Sequence, residues 1–131
     1  MNIPGADKAP PGTEALFHWG LSRLTAIFPE GILLREISDL LGPFAIFGVN
    51  DDPETVKRCC VNIESEMPSA RLFDLDVYTP NGKQVDRAAL GLTARTCLIC
   101  EQSAMDCIRV KRHSLEVTID KVHELLKPYR D

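Results

Sequence analysis

The sequence predicts an α/β fold of the α+β kind, on three observations. Apolar residues recur at helical spacing in three separate stretches. Two short runs rich in apolar and β-branched residues follow the first of them, and a later run alternates apolar with polar side chains. At 131 residues the chain is long enough to bury roughly two-thirds of its unfolded surface in one core, so a single domain over residues 1–131 is expected.

Residues 1–12 are rich in proline and glycine and read as irregular chain, with Ile3 as the tail of a strand. Thr13 is a candidate N-cap, after which Phe17, Leu21, Leu24 and Phe28 fall on one face of an amphipathic helix stopped by Pro29-Glu30-Gly31. Trp19 is expected in the core. Ile32–Ile37 and Phe44–Val49 read as two strands paired in a hairpin across Leu41-Gly42-Pro43. Asp52 caps and Pro53 opens a second helix, where Val56, Cys60, Ile63 and Met67 repeat the spacing of the first. Arg71–Tyr78 alternates as a strand, and Thr79-Pro80-Asn81-Gly82 turns the chain.

Helix, strand, strand, helix, strand is the order of a ferredoxin-like split βαββαβ unit lacking most of its first strand. A strand upstream of Met1 would complete it; without one, Asn2–Ala6 is expected to pair as an edge. The α/β core thus covers residues 13–80. Residues 81–113 form a basic segment with a knuckle of cysteines and a histidine, and Ser114 caps a last helix over 114–127 with Leu115, Ile119, Val122 and Leu126 on one face.

The net charge of −4 gives no general attraction to nucleic acid or to an anionic membrane, so neither is expected as a partner. No apolar run approaches the roughly 18 residues that span a bilayer. Met1–Pro11 has no basic and apolar leader pattern, and five cysteines, an odd number, imply no complete disulfide framework. A reducing cytoplasm is the expected compartment.

Three constellations can carry chemistry. In a strand, Asp74 and Asp76 project from one face, where two carboxylates can share a hard cation such as Mg²⁺; the plainer reading is an acidic face on a half-exposed strand. Cys97-x2-Cys100-x6-Cys107-x5-His113 offers three thiolates and an imidazole, a set that suits tetrahedral Zn²⁺. All four positions would be filled, so the metal would brace the fold; the alternative is three buried thiols and a surface histidine. Arg71, Arg87, Arg95, Arg109 and Arg112 present planar forks that match phosphate, against the reading of each as solvated surface.

Two strings go beyond these patterns: Arg71-Leu72-Phe73-Asp74-Leu75-Asp76-Val77, and Leu90-Gly91-Leu92 with Arg95-Thr96-Cys97-Leu98-Ile99-Cys100, Ala104, Cys107, Arg109 and His113. In order, spacing and residue type they resemble the signature of citrate lyase holo-acyl-carrier-protein synthases, the apo-citrate lyase phosphoribosyl-dephospho-CoA transferases or CitX family. The resemblance extends weakly through the first helix and Asn2-Ile3-Pro4-Gly5. It implies a transferase of the nucleotidyltransferase type. A serine of the citrate lyase acyl carrier protein attacks the α-phosphate of triphosphoribosyl-dephospho-CoA, and diphosphate leaves. The nucleophile then belongs to the partner, while Asp74 and Asp76 act as catalytic, Mg²⁺-holding residues. Arg71 and Arg87, followed by Arg95, Arg109 and Arg112, bind the phosphates.

Family members carry an upstream segment with basic residues and the first strand, so this chain is expected to be a shortened form. Ser69-Ala70 stands where they have a glycine before the arginine. Two other readings compete. One is a noncatalytic zinc-knuckle module for protein or RNA, and the other is the same transfer to the malonate decarboxylase carrier protein.

Overall fold

The computed structural model describes residues 1–131. The chain runs α1 (Thr13–Ile27), β1 (Ile32–Asp39), β2 (Gly42–Gly48), α2 (Pro53–Glu64), a 3-10 turn (Pro68–Leu72), β3 (Val77–Tyr78), β4 (Gln84–Val85), a short 3-10 turn (Ala88–Leu90), α3 (Ala104–Arg109), α4 (Leu115–Leu126) and a final 3-10 turn (Lys127–Tyr129).

Local chemistry accounts for most of the element boundaries. Asp52 caps α2 by accepting from the Thr55 N–H at 3.1 Å, with Pro53 in the first turn, and Ser114 caps α4 through the Val117 N–H at 3.1 Å. For α1 the cap is Gly12, at φ 98°, rather than Thr13, which lies inside the helix, is buried and donates its hydroxyl to Pro10 O at 2.6 Å. Gly12 is required there because a Cβ would stand 2.8 Å from Leu126 O at the end of α4.

The expected hairpin forms. β1 and β2 are antiparallel, with the register running from Ile32 opposite Gly48 to Asp39 opposite Gly42. His18 on α1 sits 3.0 Å from Glu36, and Ser38 donates to Glu14, so polar pairs hold the hairpin to α1.

The ferredoxin-like sheet is not formed. The strands make two separate two-stranded sheets, β1–β2 and β3–β4, and Asn2–Ala6 is irregular chain attached to Leu72 O by one backbone bond from Asn2 at 2.7 Å. Of the strand expected over Arg71–Tyr78 only Val77 and Tyr78 are strand, paired with Val85 and Gln84 across the Thr79–Gly82 turn. The physical reason is visible in the backbone of residues 71–75, whose groups are taken by side chains. Arg95 donates to Arg71 O at 2.7 Å and to Phe73 O at 2.8 Å, Lys57 donates to Leu75 O at 2.8 Å, and the Leu75 N–H is received by Glu64 at 3.0 Å. With those groups satisfied, Arg71 and Leu72 finish the 3-10 turn and residues 73–76 run on without a ladder.

The main core joins Ile3, Leu16, Ile63, Ala70, Leu72, Phe73, Val122, Leu125 and Leu126; a second cluster joins Phe28, Val56, Cys60, Val77 and Val85. Leu24, Ile27 and Leu75 pack against both. Trp19 is half-buried and stacks on Phe73 with ring centroids 5.8 Å apart, whereas Leu115, expected on the inner face of α4, is exposed. No helix is long and apolar enough to cross a membrane.

Candidate active site and metal centre

The site begins at the last residue of α2. Glu64 follows Cys60 by one helical turn and so continues the buried face of the helix; it is 4% exposed. One carboxylate oxygen accepts from Arg87 Nη2 at 2.8 Å, and the other accepts from Arg95 Nη1 at 3.2 Å and from the Leu75 N–H at 3.0 Å. A buried carboxylate is tolerated when it is paired and fully hydrogen-bonded, and this one is both.

Arg95 and Arg71 stitch two stretches of backbone together reciprocally. Arg95 donates to the carbonyls of residues 71 and 73, while Arg71 Nη2 donates to Thr96 O at 2.9 Å, Thr96 Oγ1 at 2.8 Å and Cys97 O at 2.6 Å. Between them opens a cleft of about 590 Å³ lined by Glu64, Arg71, Arg87, Arg95, Thr96 and the turn after α2. Glu66 on its rim is occupied by Arg23 at 3.0 Å. The three guanidinium groups therefore face two carboxylates in the cleft, each already paired with arginine, and the walls favour an anionic ligand with several acceptor oxygens.

Of the five arginines singled out in the sequence, three meet in this cleft and two do not. Arg109 pairs with Asp106 on α3 at 3.2 Å, and Arg112 donates to Cys107 Sγ at 3.0 Å; neither lines the cleft. Asp74 and Asp76 are exposed on the extended segment. Asp74 lies 3.7 Å from Arg95 Nη1, and Asp76 accepts from Gln84 Nε2 at 3.2 Å. Burial draws the Met1 α-amine below its ordinary pKa, with Arg95 lowering it further and the Asp74 and Asp76 carboxylates opposing the shift.

Glu64 and Lys57, which is 5% exposed and bonded to Leu75 O, were not singled out in the sequence. Their signal was there: both fall on the face of α2 marked by Val56, Cys60 and Ile63, where a charged residue requires a partner.

The second centre is the knuckle. The ligand atoms of Cys97, Cys100, Cys107 and His113 all lie within 4.8 Å of one another. Sulfurs around a tetrahedral ion with Zn–S of about 2.3 Å stand roughly 3.8 Å apart. Here the sulfurs of Cys100 and Cys107 are 3.5 Å apart, and His113 Nε2 is 3.4 Å from Cys100 Sγ. The donor set and its spacing can therefore hold a metal ion such as zinc. The Cys97 N–H bonds Gln102 O at 2.8 Å, and the Ala104 N–H bonds Arg95 O at 2.9 Å, closing the first loop. Lys111, at φ 51°, turns the chain after α3 so that His113 returns to the sulfurs. Burial pushes the Cys97 thiol up, but hydrogen bonds from the Ile99 and Cys100 backbones and from the neighbouring thiols bring it below its ordinary value; burial pushes Cys107 up to about 11. Arg95 and Thr96 immediately precede the first knuckle ligand, and Arg71 donates to Cys97 O, so the two centres adjoin.

The family model described as apo-citrate lyase phosphoribosyl-dephospho-CoA transferase matches residues 1–129. The chain is 33% identical over 127 residues to the protein of that name from Citrobacter koseri, covering 94% of this chain and 69% of that one. It is 32% identical over 127 residues to the protein of the same name from Escherichia coli O139:H28, with the same coverage. It is also 31% identical over 117 residues to the protein CitXG of Haemophilus influenzae, covering 86% of this chain and 25% of that one.

Proposed function

Because the chain belongs to the apo-citrate lyase phosphoribosyl-dephospho-CoA transferase family, we propose that it transfers the phosphoribosyl-dephospho-CoA group from its triphosphate donor to a serine of the citrate lyase acyl carrier protein. The observation that carries the proposal beyond the family name is the cleft where Arg71, Arg87 and Arg95 converge beside Asp74. In the transfer, the carrier's serine oxygen bonds the α-phosphorus and gives up its proton to solvent, the bond from that phosphorus to the bridging oxygen breaks, and diphosphate leaves with the electron pair.

The three arginines have different roles by this reading. Arg87 gives only one of the five N–H donors of its guanidinium to the protein, so it has the largest capacity for phosphate oxygens. Arg71 and Arg95 direct most of their contacts at backbone and fix the wall. Arg109 and Arg112, outside the cleft, are assigned no phosphate.

Asp74 and Asp76 are the residues that would hold Mg²⁺. Two exposed carboxylates without a third suit an ion that keeps several waters and takes the rest of its oxygens from substrate phosphate. When bound, it would neutralise charge that the arginines, partly compensated by Glu64, leave unbalanced. The knuckle would hold one structural zinc, all four of whose positions are filled by protein. Five cysteines without a disulfide fit a reducing compartment such as the cytoplasm, which is part of this reading.

A noncatalytic zinc-knuckle module is not favoured, because the family match runs far beyond the knuckle. Nor is transfer to the malonate decarboxylase carrier, since the relatives are named for citrate lyase. Incubation with citrate lyase acyl carrier protein, Mg²⁺ and triphosphoribosyl-dephospho-CoA is expected to raise the carrier's mass by that of the prosthetic group. A carrier whose mass is unchanged by stoichiometric enzyme would overturn the reading.

A further inference from the structure

Glu64 is a buried carboxylate on the floor of a cleft read as binding polyphosphate, the charge least expected there. Acting only through its sign, it would repel the ligand. Its contacts point elsewhere. It receives Arg87 on one oxygen and Arg95 on the other, and the second oxygen also holds the N–H of Leu75. Leu75 lies between Asp74 and Asp76 in sequence, so one side chain ties together two of the three cleft arginines and the segment that bears the two exposed aspartates. At 4% exposure, and at the end of a regular helix capped at its other end, Glu64 is a fixed point.

A guanidinium free in water samples many rotamers, and ordering it on a ligand costs side-chain entropy. Arg87 and Arg95 are already ordered by Glu64, with side chains 20% and 29% exposed. The ligand then meets a preset fork.

We propose that Glu64 is a positioning residue for the polyphosphate site: it aligns Arg87 and Arg95 with the Asp74–Asp76 segment and thereby raises affinity for the anion despite its own negative charge. This rests on the reading of the cleft given above.

The test is the affinity of the full chain for inorganic tripolyphosphate, measured by titration calorimetry in wild type, Glu64→Gln, Arg87→Gln and the double variant, alongside melting temperature and bound metal. Glu64→Gln removes a negative charge from an anion site, so a purely electrostatic role predicts tighter binding. Positioning predicts weaker binding, by about tenfold or more. Because Glu64 acts partly through Arg87, its substitution in the Arg87→Gln background costs less affinity than in wild type, the remainder being exerted through Arg95 and Leu75. A general loss of fold would weaken binding equally in both backgrounds, which would contradict the proposal.

Glu64→Asp, which keeps the charge but shortens its reach, is the second variant should the glutamine form fold poorly. Weakened binding with an unchanged melting temperature supports positioning, and wild-type affinity overturns it. Wild type that does not bind tripolyphosphate overturns the reading of the cleft itself. Wild type that binds while Glu64→Gln binds equally or better overturns only the role of Glu64.

Discussion

Gly20 shows how closely one position can be specified. A Cβ there would stand 2.6 Å from Phe73 Cζ, and that ring is 3% exposed and stacked on Trp19, so it has little room to retreat. Gly→Ala inside a helix ordinarily gains about 1 kcal/mol, but overpacking a fixed core ring costs about 1 to 3 kcal/mol. The clash wins, and Gly20→Ala is expected to lower the melting temperature; a rise would show that Phe73 moves freely. Cys60 makes a pH prediction. Burial pushes its thiol up to about 12 from an ordinary 9.0. The folded state holds its proton while the unfolded chain gives it up, so the contribution is intact below pH 9 and is lost as pH rises towards 12. The unfolding free energy from denaturant titration should fall by up to about 1.4 kcal/mol per pH unit across that window, and less steeply in Cys60→Ala. Equal slopes in the two proteins would remove Cys60 from the explanation. At this scale the sequence was a partial guide. Val56, Cys60 and Ile63 could be placed by helical phase, but Glu64 and Lys57 shared their face and were missed. A charge on an apolar face signals only that a partner exists; the partners came from residues 75, 87 and 95.

Among the elements, the stretch after α2 and the knuckle decide the site. The start of α2 and the β1–β2 hairpin were legible because their causes are local: a capping aspartate, a proline, and β-branched runs around a glycine turn. The helix itself stops at Glu64, short of the Met67 and Pro68 at which the sequence would end it. The strand expected over Arg71–Tyr78 was not legible, since its alternation is real but its backbone is claimed by Lys57, Glu64 and Arg95 from elsewhere in the chain. The knuckle was read fully, because four ligands within one short segment need little tertiary information. These elements separate two arginines. Arg87→Ala is expected to raise KM for the triphosphate donor about tenfold or more while the knuckle keeps its metal. Arg71→Ala, which releases Thr96 O, Thr96 Oγ1 and Cys97 O, should also lower the melting temperature and speed metal loss to a chelator. Identical behaviour of the two variants would contradict the division of roles. The isolated protein should carry about one zinc per chain, and chelation should loosen the C-terminal third before the helical core. A melting temperature indifferent to chelator would leave the four residues as ordinary packing.

In the whole molecule, Leu75 is the point where the parts meet. It packs against both hydrophobic clusters, its N–H is held by Glu64 and its carbonyl by Lys57, and the aspartates flank it. The cleft thus draws on the end of α2, the 3-10 turn after it, Arg87, and the backbone that leads into the knuckle, regions that no short sequence window contains. The resemblance grouped Arg71, Arg87 and Arg95 as phosphate binders beforehand, but it did not include the end of α2 and could not say which arginines share a wall. The central claim is that this wall binds the donor's phosphates during transfer to the carrier. It is tested most directly by following diphosphate release with donor, Mg²⁺ and carrier protein, in wild type and Arg87→Ala. Release that needs the carrier and falls with Arg87→Ala is the predicted result. Release without carrier, or at the wild-type rate in a folded Arg87→Ala protein at subsaturating donor, would contradict it.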